Sequence, residues 1–179
     1  MKEVTLHDLT FEEFISEKEI EKVVLALSIK IDRDYKDRNP VLLIVLNGAF
    51  IFAADLVRQL SISLRMDFVK VSSYEGIGST SKLNEHFLWK MPLEGQDVLI
   101  IEDIVDTGHT LHHLNKKIKN QNPASVEIAC LLIKPLAYKY PDIIKYPGME
   151  IPNEFVVGYG LDYDGIGRDL GSIYKKKAE

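Results

Sequence analysis

Three short apolar runs constrain the fold of this chain more strongly than any other feature of its sequence. VLLIVL (41–46), VLII (98–101) and IACLLI (128–133) are continuous runs of four to six apolar residues. Such runs are typical of strands that are buried on both faces, as in a parallel sheet. Segments with helical spacing separate them. This β-α-β alternation predicts an α/β fold with a mostly parallel, twisted sheet flanked by helices.

The length of 179 residues is typical of one domain. We expect its core over about residues 38–135. A small hood beside the sheet is expected from residues 1–15 together with residues 136–179, a C-terminal part that is irregular and holds several prolines and glycines. Ser16 and Glu19 have the spacing of a capping box and predict the start of a long first helix, which Asn39-Pro40 ends.

Composition and charge exclude several classes of function. The apolar runs are far shorter than the roughly 20 residues of a membrane-spanning helix, so no membrane partner is expected. The acidic N-terminus lacks the apolar core of a signal peptide, which predicts a cytoplasmic protein. A net charge of −5 argues against broad nucleic-acid binding, and the single cysteine, Cys130, rules out an intrachain disulfide.

The segment VLIIEDIVDTGHTL (98–111) places acidic side chains at the end of a buried strand. Glu102 and Asp103 end that strand, where open α/β sheets bind their ligands, and vicinal carboxylates can bind ribose hydroxyls or a hard cation. Asp106 opens a turn into a helix, and residues 107–110 offer hydroxyls and backbone N–H groups that suit a phosphate. Helix capping and solvation explain the turn equally well when it is taken alone.

The complete string resembles the phosphoribosyl pyrophosphate signature of the type I phosphoribosyltransferases, two acids after an apolar strand followed by D-T-G-x-T. Four further segments agree in order and spacing: VLNGAFIFAADLVR, VSSYEGIGSTS, Lys134 at the end of SVEIACLLIK, and EFVVGYGLDYDGIGRDL. They narrow the resemblance to the hypoxanthine-guanine phosphoribosyltransferases, over about residues 41–174. The resemblance implies the type I fold with its hood and a Mg²⁺-dependent transfer of the 5-phosphoribosyl group from phosphoribosyl pyrophosphate to N9 of hypoxanthine or guanine. It also implies a homodimer or homotetramer.

The resemblance assigns roles to matching residues of this chain. Asp106 would be the catalytic base at purine N7, and Lys134, a donor only, would meet the purine 6-oxo group and oppose the amino group of adenine. Ribose 5-phosphate would be bound by Glu102, Asp103, Asp106, Thr107, Gly108, His109 and Thr110, and pyrophosphate by Leu46, Asn47, Gly48 and Arg168. The purine would be bound by Lys134, Phe155, Val156 and Asp162, the metal by Glu102, Asp103 and Asp162, and Ser73 and Tyr74 would belong to a lid loop.

The chain departs from the family pattern at three positions. Asn47 and Ala49 replace the Lys and the second Gly of a pyrophosphate loop that is usually L-K-G-G, and His109 stands where relatives often carry Lys or Arg. In the family the peptide bond before that Lys position can be cis, which corresponds here to Leu46-Asn47.

Other interpretations of the same residues stay open at this point. Asn47-Gly48 also suits an ordinary turn, Phe155 a core position, and Asp162 with Arg168 a solvent ion pair. His109 and His113 share a helix face, but no further Cys or His nearby completes a zinc site. A regulator that binds RNA would need a basic face, which the acidic balance disfavours. Among enzymes, a preference for a pyrimidine or for xanthine is the nearest competitor. Lys134 and Phe155 favour 6-oxopurines, but they do not rank hypoxanthine against guanine or xanthine.

Overall fold

The computed structural model describes residues 2–73, 83–86, 89–140 and 143–178. Within these ranges the chain forms two sheets and three helices. In chain order the elements are β1 (Glu3–Leu6), β2 (Leu9–Ile15), α1 (Glu17–Asp34), β3 (Val41–Leu46), α2 (Phe50–Gln59), β4 (Arg65–Ser73), β5 (Leu83–His86), β6 (Asp97–Val105), α3 (His109–Lys119), β7 (Ser125–Ile133), β8 (Tyr146–Glu150), β9 (Val156–Val157) and β10 (Ile173–Lys176). None of the helices in the described ranges combines the length and apolar character that crossing a membrane requires.

The larger sheet has the strand order β5-β4-β3-β6-β7-β8. Five neighbouring strands, β4, β3, β6, β7 and β8, run parallel, and β5 pairs antiparallel with β4 at one edge. The continuous apolar runs lie at its centre, where β3, β6 and β7 are buried against helices on the two faces. The α/β prediction is therefore confirmed.

The expected core boundary at residue 135 is wrong, because β8 adds residues 146–150 to the edge of the larger sheet. Its sequence, YPGME, has no apolar run and contains Pro147, so it carries no strand signal. Proline is tolerated in an edge strand because one side of that strand needs no ladder hydrogen bonds. The close approach to β7 uses Gly148, where an added Cβ would overlap the carbonyl oxygen of Leu131.

Helix α1 begins as the capping box predicts. The Ser16 backbone N–H donates to the Glu19 carboxylate at 2.9 Å. The buried side of the helix carries Ile20, Val24, Leu27 and Ile31, which pack into the core beneath the larger sheet. The helix ends at Asp34, before the Asn39-Pro40 stop that we expected.

The hood is the smaller sheet, in the order β1-β2-β10-β9, and all its strand pairs are antiparallel. It joins residues 3–15 to residues 156–176, so both ends of the chain build it, as the sequence predicts. Phe11, Val157 and Tyr174 form its own small apolar cluster. The segment between β9 and β10 returns from the hood toward the larger sheet and brings Asp162 and Arg168 with it.

Candidate active site

A cavity of about 330 Å³ opens at the carboxyl ends of β3 and β6. The pairing of Ile44 with Ile101 sets the register of these two neighbouring strands, so that their following segments meet at one edge of the sheet. Residues 102–111 form one wall, and Val45, Leu46 and Gly48 form another. Asp162 and Arg168 close the cavity from the hood side. Three separate parts of the sequence-predicted site thus share one space.

Glu102 and Asp103 form an acidic floor in this cavity. Both belong to β6, which continues to Val105, so the expectation that they end the strand is wrong by two residues. The Asp103 carboxylate accepts a hydrogen bond from the Ile104 N–H at 2.8 Å. Burial raises the pKa of both carboxyl groups, and the negative charge of Asp103 raises the pKa of Glu102 further. The floor therefore favours a ligand that brings hydroxyl donors or positive charge.

Mg²⁺ fits this floor when a ligand supplies most of its oxygens. Mg²⁺ usually keeps several waters and binds one or two carboxylates together with substrate phosphates. The described residues contain no group of three His, Cys, Asp or Glu side chains that could hold a metal alone. The metal residues that the resemblance indicates, Glu102, Asp103 and Asp162, therefore stay a prediction in which a bound ligand supplies further oxygens.

Asp162 is engaged by protein donors instead. Its Oδ1 lies 2.7 Å from Nη2 of Arg168, and its Oδ2 accepts a hydrogen bond from the Gly165 N–H at 2.8 Å. Nη1 of Arg168 also donates to the carbonyl oxygen of Gly160 at 2.6 Å. These bonds fix the guanidinium at the rim of the cavity, where it lowers the pKa of Asp103 against the effect of burial. The ion pair is thus part of the site and not merely a solvent pair.

The loop after β3 touches the acidic floor. The Leu46-Asn47 peptide bond is cis, at the position that the resemblance indicates. A Cβ on Gly48 would overlap the carboxylate of Asp103, so the absence of a side chain lets this loop and β6 come together. Ala49 is fully buried, whereas Asn47 is exposed and lies outside the cavity lining. Of the predicted pyrophosphate-binding residues of this loop, Leu46 and Gly48 therefore line the cavity and Asn47 does not.

The turn of residues 106–108 leads into α3, across the cavity from the loop after β3. Gly108 has a φ of 78°, which glycine adopts without strain, and α3 begins directly after it. The first turn of α3 contains no acidic residue, while its last turn carries Lys116, Lys117 and Lys119. The backbone N–H groups at the start of α3 form the positive end of the helix dipole, and they lie at the cavity. Such an arrangement binds phosphate readily.

A tyrosine-rich loop after β7 supports this turn, and we did not predict its role from the sequence. A Cβ on Gly108 would overlap the ring of Tyr138. The Tyr140 hydroxyl lies 2.9 Å from Nδ1 of His109, and the Lys139 ammonium lies 3.4 Å from Nε2 of the same ring. The string YKY at 138–140 was the available signal. Lys139 thus places a positive charge beside the imidazole that stands where the resemblance expects Lys or Arg.

Lys134 and Asp106 form an ion pair at the edge of the cavity. The Lys134 ammonium lies 2.8 Å from Oδ2 of Asp106, and the whole lysine residue is only 8% exposed. The Lys134 side chain is therefore largely withdrawn from solvent. The carboxylate is half-exposed and lines the cavity. The charge-assisted hydrogen bond orients both groups that the resemblance assigns to the purine.

Two of the predicted purine residues, Phe155 and Val156, lie beyond the cavity lining. Phe155 is 43% exposed, which disagrees with a core position, and its ring contacts the edge of Tyr163 at a centroid distance of 5.6 Å. Val156 is buried in β9. Ser73 is the last residue of β4, and Tyr74, the other predicted lid residue, lies outside the described residues.

Comparisons with known proteins agree with this geometry. Residues 12–164 match the family model of the phosphoribosyl transferase domain. The hypoxanthine-guanine phosphoribosyltransferase of Staphylococcus epidermidis is 42% identical over 167 residues, which cover 92% of this chain and 93% of that protein. The enzyme of that name from Dictyostelium discoideum is 40% identical over 173 residues, with coverage of 94% and 96%. The crystal structure of a hypoxanthine phosphoribosyltransferase from Staphylococcus aureus has a TM-score of 0.87 at 37% identity, covering 93% of this chain and 91% of that one. This chain belongs to the phosphoribosyltransferase family and, within it, to the hypoxanthine-guanine phosphoribosyltransferases.

Proposed function

We propose that this chain transfers the 5-phosphoribosyl group of phosphoribosyl pyrophosphate to N9 of hypoxanthine or guanine and releases pyrophosphate. The observation that carries the proposal is the convergence of an acidic floor, a helix start and a glycine loop on one cavity. Each of these three features suits a different part of the same sugar. The names of the relatives support the identity of the reaction.

The sugar phosphate spans two walls of the cavity in this proposal. The N–H groups and hydroxyls of residues 107–110 hold the 5-phosphate at the start of α3, with Lys139 adding positive charge nearby. The carboxylates of Glu102 and Asp103 accept hydrogen bonds from the ribose hydroxyls. The anomeric carbon then lies between the acidic floor and the pyrophosphate loop of residues 46–49.

Hydrogen-bond donors on two sides of the cavity stabilise pyrophosphate as it leaves. The guanidinium of Arg168 and the backbone around Gly48 face the departing group, and fixed donors of this kind stabilise charge as it develops. A bound Mg²⁺ would neutralise further charge on the pyrophosphate and so make it a better leaving group. Glu102 and Asp103 would hold this ion jointly with the substrate, and Asp162 would act through water.

The purine meets the pair formed by Lys134 and Asp106. The Lys134 ammonium donates to the 6-oxo group, which selects against the 6-amino group of adenine. The Asp106 carboxylate accepts the N7 proton while N9 attacks the anomeric carbon. The purine therefore does not carry a positive charge once the new bond has formed. Phe155 would stack on the purine, and backbone groups of Val156 would meet its edge. A homodimer or homotetramer, which rests on the resemblance alone, and a cytoplasmic location, which rests on the acidic N-terminus, complete the proposal.

The direct test is an assay of nucleotide formation with a panel of bases. The purified protein is incubated with phosphoribosyl pyrophosphate, Mg²⁺ and, in turn, hypoxanthine, guanine, xanthine or adenine. We expect turnover with hypoxanthine or guanine and a kcat/KM at least about 100-fold lower with adenine, because a site built around a donor rejects another donor. Chelating Mg²⁺ should lower the rate by at least about 100-fold.

Two outcomes would contradict the proposal. One is the absence of nucleotide with every 6-oxopurine. The other is tight binding of RNA without any turnover, which would favour the regulator interpretation. The relative rates with hypoxanthine, guanine and xanthine rank the three bases, which the cavity geometry leaves equal.

A further inference from the structure

A partly buried hydrogen bond joins the hood segment to helix α2. The Tyr159 hydroxyl donates to Oδ2 of Asp55 at 2.8 Å, between residues 104 positions apart in the chain. Tyr159 is 6% exposed, and burial together with the bond to Asp55 raises the pKa of its phenol, so the hydroxyl stays a donor. Asp55 lies on α2, which begins directly after the pyrophosphate loop. The bond therefore connects that loop's helix with the segment that carries Arg168.

The same segment touches the backbone of the pyrophosphate loop. Gly160 has a φ of 99°, and a Cβ there would overlap the carbonyl oxygen of Gly48. The Gly160 N–H donates to the Arg168 carbonyl oxygen at 2.9 Å, and the Arg168 side chain donates back to the Gly160 carbonyl oxygen at 2.6 Å. The Tyr159 N–H donates to the Leu170 carbonyl oxygen at 2.7 Å. A displacement of Tyr159 would consequently move both Gly48 and Arg168.

We propose that Asp55 and Tyr159 are a positioning pair that holds the pyrophosphate loop against the hood segment, so that Gly48 and Arg168 face the same leaving group. Neither side chain of the pair lines the cavity, and both act through the residues that do. The inference rests on the proposed function, since it assigns the pair to the pyrophosphate half of that reaction. The purine half depends on Lys134 and Asp106, which the pair does not contact.

Tyr159→Phe tests the pair because it removes the hydroxyl and keeps the ring. We expect the KM for pyrophosphate in the reverse reaction, and the KM for phosphoribosyl pyrophosphate in the forward reaction, to rise about 10-fold, the usual scale for losing a hydrogen bond to a charged group. The KM for hypoxanthine should change less than about twofold, because the purine contacts lie on other elements. Isothermal titration calorimetry should show the same loss of pyrophosphate affinity without turnover.

Tyr146→Phe is the matched control. The Tyr146 hydroxyl donates to Oδ2 of Asp34 at 3.1 Å, and the residue is 2% exposed, so the chemistry and the burial are alike. Tyr146 lies on β8, three strands away from β3 in the larger sheet, and outside the cavity lining. We expect a loss of a few degrees in Tm from each variant and an unchanged KM only from Tyr146→Phe.

Variants of Asp55 supply the rescue test. Asp55→Asn keeps an acceptor oxygen for the Tyr159 hydroxyl and should raise the KM for pyrophosphate by no more than about threefold, whereas Asp55→Ala should raise it about 10-fold. The double variant of Asp55→Ala with Tyr159→Phe should raise the KM for pyrophosphate no more than Asp55→Ala alone, since both changes remove the same Tyr159–Asp55 bond. These variants decide the question even if Tyr159→Phe does not fold.

Three results would overturn the pair. The first is a KM and an affinity for pyrophosphate within twofold of wild type in both Tyr159→Phe and Asp55→Ala. The second is a change in Tyr146→Phe as large as that in Tyr159→Phe. The third is a rise in the KM for hypoxanthine as large as that for pyrophosphate. A wild-type protein without transferase activity would instead count against the proposed function. In that case the calorimetric affinities for pyrophosphate still decide whether the pair positions its site.

Discussion

Asp106→Asn is expected to lower kcat by about 10²–10⁴-fold, the contribution typical of a general base. The change should leave the KM for phosphoribosyl pyrophosphate within about threefold of wild type, because the 5-phosphate is bound by other groups of the same turn. The amide of the variant keeps an oxygen for the Lys134 ammonium, which lies 2.8 Å from the native carboxylate. Geometry is therefore retained while the proton acceptor is lost.

Steady-state kinetics in the forward direction measure this effect. Asp97→Asn is the control, since Asp97 is the first residue of the same strand, where its carboxylate accepts a hydrogen bond from Ser125 far from the cavity. That variant should keep kcat within about twofold. A turnover in Asp106→Asn equal to that of wild type would remove the base role from Asp106.

Lys134→Met should lower kcat/KM with hypoxanthine by about 10- to 100-fold, on the scale of one hydrogen bond from a charged donor. The methionine fills a similar volume at a position only 8% exposed, so the packing of the native side chain is largely kept. Asp106 is half-exposed and stays solvated when its partner is removed, so the free energy of unfolding should change little. The affinity for phosphoribosyl pyrophosphate should also stay near that of wild type.

Measurements with hypoxanthine and adenine together distinguish specificity from general damage. Activity with adenine, already very low, should not fall in parallel with activity with hypoxanthine, so the ratio of the two kcat/KM values should shrink. Lys145→Met serves as the control, because Lys145 pairs with Glu127 at 3.2 Å at the edge of the larger sheet. An unchanged kcat/KM for hypoxanthine in Lys134→Met would show that another group meets the 6-oxo oxygen.

The central strands and the chemistry at their ends could be predicted from the sequence. Continuous apolar runs leave few alternatives to buried parallel strands, so β3, β6 and β7 appear where the pattern indicates. Parallel strands bring their carboxyl ends to one edge, which is why Gly48 and Glu102 share a cavity although 54 positions separate them. Local pattern and sheet topology together determine this part of the site.

The contacts that complete the site had no local signal. Strand β8 lacks an apolar run, and its membership of the larger sheet depends on the space that Gly148 leaves beside β7. The contact of Gly160 with Gly48 and the bond from Tyr159 to Asp55 join distant segments through single residues. Periodicity describes which face of an element is apolar, but it does not say which distant backbone will approach a given glycine.

One cavity is proposed to bind every part of an activated ribose phosphate. A crystal structure of the protein with phosphoribosyl pyrophosphate and Mg²⁺ tests this binding. We expect the 5-phosphate at residues 107–110, the ribose hydroxyls beside Glu102 and Asp103, and the pyrophosphate between Gly48 and Arg168. A sugar phosphate bound elsewhere on the protein, or this cavity without ligand at a saturating concentration, would contradict it.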